Sequence, residues 1–154
     1  ARATRRIALV HSCWHPDIVK RARDAFIADA GSLGIARNAI DVFGVPGAFE
    51  IPLHAKVLAQ TGHYAGIVAC GFVIDGGIYR HDFVASAVID GLMHLQLDTG
   101  VPVFSVVLTP HHFHEHEQHR QFYFDHFVIK GREAAQACVR TLDALDAIRP
   151  TISV

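Results

Sequence analysis

The feature that most constrains the fold is an unbroken apolar run at residues 66–74, GIVACGFVI. A strand with one face in water alternates apolar and polar side chains, whereas an unbroken run is typical of a strand covered on both faces. Shorter apolar runs occur at residues 6–10, 39–45 and 103–108. Strands covered on both faces belong to parallel sheets, in which a crossover helix connects each strand to the next.

Helical patterns lie where those crossovers are needed. Residues 17–33 carry apolar side chains at helical spacing, and Pro16 suits the first turn of that helix. Three more helices are predicted at residues 51–61, at residues 81–99 and at roughly residues 131–148. We therefore predict an α/β fold, a flavodoxin-like three-layer α/β/α sandwich with a four-stranded parallel sheet. The 154 residues predict a single domain over residues 1–154.

Composition excludes several classes of protein. The formal net charge of −1 argues against a non-specific nucleic-acid binder, because such a protein carries a basic surface. No stretch is long and apolar enough for a transmembrane helix, and the first residues do not read as a secretory signal. Charged residues make up only 19% of the chain, which suggests surface hidden in an oligomer or an unusually large core. Cys13, Cys70 and Cys138 are widely spaced, which predicts buried or partly buried thiols in a reducing cytoplasm.

Ligands of such sheets bind outside the carboxyl ends of the strands, so the loops at residues 11–15, 46–50, 75–81 and 109–119 form the candidate site. The first loop contains Trp14, the only tryptophan. Its indole could stack on a flat heterocycle or pack against the next helix. In the second loop, small residues allow a ligand to approach the backbone, and Glu50 could cap the following helix or bind the ligand.

The third loop carries Gly76 and Gly77 at the start of a predicted helix, where free N–H groups bind phosphate or other anions. A tight turn is the alternative, since the pattern is neither a dinucleotide-binding fingerprint nor a P-loop. Arg80 and His81 follow directly. Arginine can hold a phosphate or carboxylate through two hydrogen bonds, and histidine can transfer a proton near neutral pH.

The fourth loop opens a segment rich in histidine, since six of the 12 histidines lie within residues 111–126. His112, His116 and His119 would share one face of a helix and could bind a transition metal, although the spacing does not form the HExxH motif. An anion site at His119 and Arg120 is a second interpretation. A polar helix at a subunit interface is the third.

Taken together, the loops resemble the 6,7-dimethyl-8-ribityllumazine synthase family, which acts in riboflavin biosynthesis. Residues 45–52, VPGAFEIP, match the family run at every position. Residues 71–77, GFVIDGG, and the following residues 82–84 match its G-x-V-I-x-G loop and next helix. Trp14 and His15 stand where the family has an aromatic residue followed by asparagine, and the resemblance covers essentially the whole chain.

The resemblance implies a transferase that needs no cofactor or metal. It would condense 5-amino-6-(D-ribitylamino)uracil with 3,4-dihydroxy-2-butanone 4-phosphate to give 6,7-dimethyl-8-ribityllumazine and phosphate. By this resemblance, Trp14 would stack on the pyrimidine ring. Phe72, Val73 and Ile74 would contact the edge of that ring. The ribityl chain would be held by Ala48, Phe49 and Glu50. The phosphate-bearing substrate would be cradled by Gly76, Gly77 and Ile78.

Several positions depart from the commoner family pattern. Arg80 stands where the family usually has its proton-transfer histidine, and His81 follows it. Because an arginine is effectively never deprotonated, we hypothesise that Arg80 binds an oxyanion and that His81 transfers protons. His119, with Arg120 beside it, stands at the position of the family's phosphate-binding arginine, and Ser105 replaces a frequent aromatic residue of the pocket wall. These features resemble the second type of the family, which forms decamers of two pentamers with active sites between neighbouring subunits.

Two alternatives come from other classes of protein. A catalytically weak flavin- or lumazine-binding protein of the same fold would share these motifs, and the missing histidine at position 80 favours it. A flavodoxin-like or receiver-like domain is suggested by fold alone. A receiver needs an acidic cluster after the first strand, where this chain has residues 11–14, HSCW.

Overall fold

Four parallel strands form one sheet in a computed structural model that describes residues 5–73, 81–109 and 117–149, with only the backbone described for His81 and residues 117–120. The strands are β1 (Ile7–Ser12), β2 (Ile40–Val45), β3 (Gly66–Phe72) and β4 (Val103–Leu108). Their order across the sheet is β2-β1-β3-β4. Every residue of β3 is buried, as its unbroken apolar run predicts.

Helices cover both faces of this sheet. They are α1 (Pro16–Ser32), α2 (Ile51–Gln60), α3 (His81–Thr99) and α4 (Glu117–Ile148). Residues of α1 and α4 share one apolar core on one face, and residues of α2 and α3 share a second core on the other. Alternate residues of β1 face the two cores, Ile7 and Leu9 the first, Ala8 and Val10 the second. The predicted α/β sandwich is therefore confirmed.

The last helix begins earlier than predicted. The apolar pattern placed its start near Gly131, whereas α4 begins at Glu117 and Gly131 lies within it. An added Cβ at Gly131 would lie 2.5 Å from the carbonyl oxygen of Ala22 and 3.0 Å from the Cβ of Ala25. The glycine therefore lets α4 cross close to α1, and it does not mark the beginning of a helix.

The cysteines differ in their surroundings. All three are free, and Cys70 and Cys138 are buried, where burial raises the pKa of each thiol to about 12. Cys13 is exposed, and the expectation of a buried or partly buried thiol is wrong for it because β1 ends at Ser12. In the part of the chain that the structure describes, no helix is long and apolar enough to cross a membrane.

Hydrogen bonds and ion pairs connect distant segments of the chain near the amino ends of the strands. The guanidinium of Arg6 donates to Oδ1 of Asp41 at 2.8 Å, and the hydroxyl of Tyr64 donates to Oδ2 at 2.8 Å. The hydrogen bond from Arg6, and then that from Tyr64, holds the pKa of Asp41 below its usual value. Arg5 donates to both Asp143 and Asp146 of α4.

The crossing of α1 and α4 generates a prediction for Gly131→Ala. Its methyl group must displace the Ala22 carbonyl or separate the helices, so we expect the free energy of unfolding to fall by about 1–3 kcal/mol, although alanine favours helix more than glycine does. Gly31, near the end of α1, has no atom within 4 Å of an added Cβ. Gly31→Ala is the control and should raise the free energy of unfolding by up to about 1 kcal/mol. Denaturant titration measures both, and an undiminished stability of Gly131→Ala would contradict the close crossing.

Candidate active site

A pocket of about 260 Å³ lies at the carboxyl ends of β1 and β3. The chain leaves β1 toward α1 on one face of the sheet, whereas it leaves β3 toward α3 on the other face. Neighbouring strands whose connections diverge in this way leave a crevice between them, where α/β proteins bind ligands. The pocket is lined by Trp14, Gly47, Ala48, Phe49, Phe72, Val73 and Val84.

Trp14 lies in the loop that directly follows β1 and lines the pocket. Its side chain is 43% exposed, so packing against the neighbouring helix does not cover it. An indole that is partly exposed beside an apolar pocket offers a face to a flat ring. The stacking of Trp14 on a ligand stays a prediction.

The second loop wraps around the start of α2. Residues 48–50 form a short 3-10 turn that runs directly into that helix. The N–H of Gly47 donates to Oε2 of Glu50 at 3.0 Å, which is the capping role considered for this carboxylate. A carboxylate can accept about four hydrogen bonds, so Glu50 keeps acceptor capacity for a ligand. The first N–H groups of the turn also lack partners within the helix, so they can donate to a ligand.

The end of β3 forms the floor of the pocket. The buried ring of Phe72 contacts Phe127 and Tyr123 of α4, with ring centroids 5.4 Å and 5.8 Å away. Beside it, an added Cβ at Gly71 would lie 3.3 Å from Ile51 and 3.4 Å from Ala48. A glycine at this position allows the second loop to approach β3 closely, which brings the two segments to one pocket.

His15 turns the chain from β1 into α1. Its backbone is left-handed, with φ 51° and ψ 56°, and no other non-glycine residue in the described ranges has a positive φ. Its carbonyl accepts the N–H groups of Ile18 and Val19, which begins the helix. The left-handed conformation costs an L-residue about 1–2 kcal/mol.

Many of the predicted site residues fall outside the described ranges. These are Ile74, Gly76, Gly77, Ile78 and Arg80. His81 is the first residue of α3, and His119 and Arg120 lie in the first turn of α4, but their side chains are not described. The metal, anion-site and interface interpretations of the histidine-rich segment depend on side chains of residues 111–120, which are not described. The roles of all these residues stay predictions.

Ser105 is not among the residues that line the pocket. It pairs with Ala69 in the middle of β4, and its exposed side chain accepts the N–H of Val107 at 3.3 Å. β4 is an edge strand of the sheet, so Ser105 lies at a rim of the molecule and not between β1 and β3.

Sequence reasoning missed two parts of the site. Val84 lines the pocket from α3, and it belongs to the inward stripe that continues at Val88, Leu92 and Leu95. That helical spacing is the signal that could have identified it. Tyr123 and Phe127 support Phe72 from a part of α4 that the sequence pattern did not assign to a helix.

A family model described as 6,7-dimethyl-8-ribityllumazine synthase matches residues 4–146. A relative of that name from Rhodococcus erythropolis is 62% identical, over 93% of this chain and 92% of its own length. The relatives named 6,7-dimethyl-8-ribityllumazine synthase 2 include one from Pseudomonas syringae pv. tomato, which is 58% identical over 94% of this chain and 85% of its own. Another, from Bradyrhizobium diazoefficiens, is 54% identical over 96% of this chain and 88% of its own length.

These matches confirm the resemblance that the loop motifs indicated. The motifs after β1, β2 and β3 also meet at one pocket, where a sheet of this topology binds its ligands. The chain belongs to the 6,7-dimethyl-8-ribityllumazine synthase family.

Proposed function

We propose that this protein is a transferase of riboflavin biosynthesis that condenses 5-amino-6-(D-ribitylamino)uracil with 3,4-dihydroxy-2-butanone 4-phosphate. The products are 6,7-dimethyl-8-ribityllumazine and phosphate. The observation that carries this proposal is the pocket in which Trp14, the loop at residues 47–49 and the end of β3 meet. These are the three segments that match the family.

The pyrimidine binds between the apolar walls of the pocket. The Trp14 indole stacks on the ring, and Phe72, Val73 and Ile74 contact its edge. The neighbouring rings of Tyr123 and Phe127 support Phe72, which keeps this floor in place. A substrate fixed in this way presents its 5-amino group in one orientation, and such positioning can supply a large part of the rate enhancement.

The ribityl chain binds at the start of α2. Its hydroxyl groups accept from the N–H groups of Ala48 and Phe49 and donate to the carboxylate of Glu50. The bond from Gly47 to Oε2 of Glu50 supports this role, because it fixes the carboxylate beside the pocket. A polyol that pairs with both donors and acceptors binds more specifically than an apolar chain of the same length.

The phosphate-bearing substrate binds near the starts of α3 and α4. Both helices begin after strands whose carboxyl ends lie at the pocket edge of the sheet, and helix amino termini attract anions. Gly76, Gly77 and Ile78 cradle this substrate, Arg80 pairs with an anionic oxygen, and the phosphate contacts His119 and Arg120.

The reaction is a sequence of condensations and an elimination. The 5-amino nitrogen attacks the ketone carbonyl, and loss of water gives an imine. Phosphate then leaves, the side chain rearranges, and ring closure with loss of a second water completes the lumazine. Each step moves protons, and His81 transfers them because an imidazole titrates near neutral pH and arginine does not.

The protein works as a homo-oligomer, a decamer of two pentamers with sites between neighbouring subunits. The outer faces of α2 and α3 support assembly, since Leu53, Val57, Met93 and Leu97 are each more than half exposed. Large exposed apolar surfaces on soluble proteins mark contacts with other chains.

Its place in the cell is the cytoplasm. The three free thiols support this location, because a reducing compartment keeps cysteines unpaired.

A turnover assay tests the reaction, with the absorbance of the lumazine product followed above the uncatalysed background. We expect a protein-dependent rate and, for Trp14→Ala, a KM for the pyrimidine raised about tenfold through lost stacking. Leu33→Ala is the control, since Leu33 is also 43% exposed but lies at the end of α1, away from the pocket. No turnover together with tight riboflavin binding would instead identify a binding protein.

A pair of variants separates the roles of Arg80 and His81. His81→Ala should lower kcat about 10- to 100-fold with little change in KM, since positioning continues to supply part of the catalysis. Arg80→Ala should mainly raise the KM for the butanone phosphate, and Arg80→Lys should restore part of it. Steady-state kinetics with each substrate varied measures both. Full turnover of His81→Ala would show that another group transfers the protons.

Sedimentation tests the assembly. We expect a mass about ten times that of the 16.9 kDa chain. Leu97→Glu should dissociate the assembly if the outer face of α3 is an interface, because the carboxylate would be buried without a partner. A mass of five chains would contradict the decamer, and a monomer would contradict both levels of assembly.

A further inference from the structure

His15 lies between the two aromatic residues that bound the pyrimidine pocket. Its ring centroid is 5.3 Å from that of Trp14, with the planes inclined at 41°. On its other side it meets Phe72 at 5.6 Å in an edge-on contact with an interplanar angle of 82°. Both distances are within the range of favourable aromatic pairs. The imidazole therefore connects the partly exposed indole to a ring that is buried in the core.

The core side of this contact is firmly held. Phe72 is 1% exposed and packs against Phe127 and Tyr123. Trp14, in contrast, is in a loop and lines the pocket with part of its surface exposed. An indole in such a loop can adopt several rotamers unless a neighbour restricts it. Among the described residues, His15 is a ring neighbour that joins the indole to the core.

The backbone of His15 restricts which residue types this position accepts. Its left-handed conformation is one that glycine or asparagine adopts more readily. Within the described residues, the His15 side chain makes no capping hydrogen bond to the first turn of α1, so capping does not account for the histidine. What the imidazole contributes, and glycine or asparagine would not, is a ring in contact with Trp14 and Phe72.

We propose that His15 is a positioning residue, whose ring holds the Trp14 indole against the pocket in the orientation that stacks on the pyrimidine. The inference rests on the proposed function and deepens it, because it names the residue that sets the stacking surface. An indole fixed before the substrate arrives loses less conformational freedom on binding, which lowers the KM for the pyrimidine. His15 itself does not take part in the bond changes, so kcat does not depend on it.

Three variants separate the ring of His15 from its backbone. His15→Asn and His15→Gly both accept the left-handed conformation and both lack the ring. His15→Phe keeps a ring of similar size. His63→Asn is the control, since His63 is an exposed loop histidine whose ring contacts Tyr64 and lies outside the pocket.

The first measurement needs no substrate. Trp14 is the only tryptophan, so acrylamide quenching of the intrinsic fluorescence reports its accessibility alone. We expect the quenching constant to rise for His15→Asn and His15→Gly, and to stay near that of the unmodified protein for His15→Phe and His63→Asn. The KM for the pyrimidine should rise about three- to tenfold for the two ring-free variants, with kcat nearly unchanged.

Other results would overturn the proposal. Unchanged quenching in His15→Asn and His15→Gly would show that the ring does not hold the indole. Increased quenching with an unchanged KM would show that the position of the indole does not matter for the substrate. If one ring-free variant fails to fold, as judged by its thermal transition, the other decides. Absence of turnover in the unmodified protein would overturn the proposed function only, since quenching and the dissociation constant of riboflavin would still measure the effect of the ring.

Discussion

Burial of both faces of the sheet is the constraint on which the rest of the structure depends. β3 is buried at every residue, so helices must cover it on both sides, and the parallel chain can supply them only by crossing over. With the order β2-β1-β3-β4, the chain leaves β1 and β3 toward opposite faces. The pocket is the gap that this divergence leaves. The topology of the backbone therefore creates it, whichever side chains line it.

Local backbone conformation brings three separate segments to that gap. The missing side chain of Gly71 admits the start of α2, and the bond from Gly47 to Glu50 shapes the loop before it. The left-handed turn at His15 directs the chain from β1 into α1 while Trp14 remains beside the pocket. The apolar walls and the polar start of α2 suit a ligand with a flat ring and a polyol chain, which is the chemistry of the family's pyrimidine substrate.

Much of this arrangement could be predicted from the sequence, because burial and periodicity are local signals. The bounds of β4 and α3 agree with the prediction, and Trp14, Ala48 and Phe72 come together at one pocket. The missed features depend on contacts between distant segments. Gly131 looks like a helix boundary until α1 is known to cross it, and the support of Phe72 by α4 has no local pattern. The left-handed backbone of His15 likewise depends on the path that the chain takes from β1 to α1.

The contacts at the opposite edge of the sheet have a consequence for how this protein tolerates substitutions. Arg6 and Tyr64 hold Asp41, and Arg5 holds two aspartates of α4, all near the amino ends of the strands. The loops that carry the chemistry lie at the carboxyl ends. We therefore expect a substitution in these loops, such as Arg80→Ala, to leave the ion pairs of Arg5 and Arg6 intact. Stability and reactivity therefore depend on residues at opposite edges of the sheet, so a substitution in one set need not disturb the other.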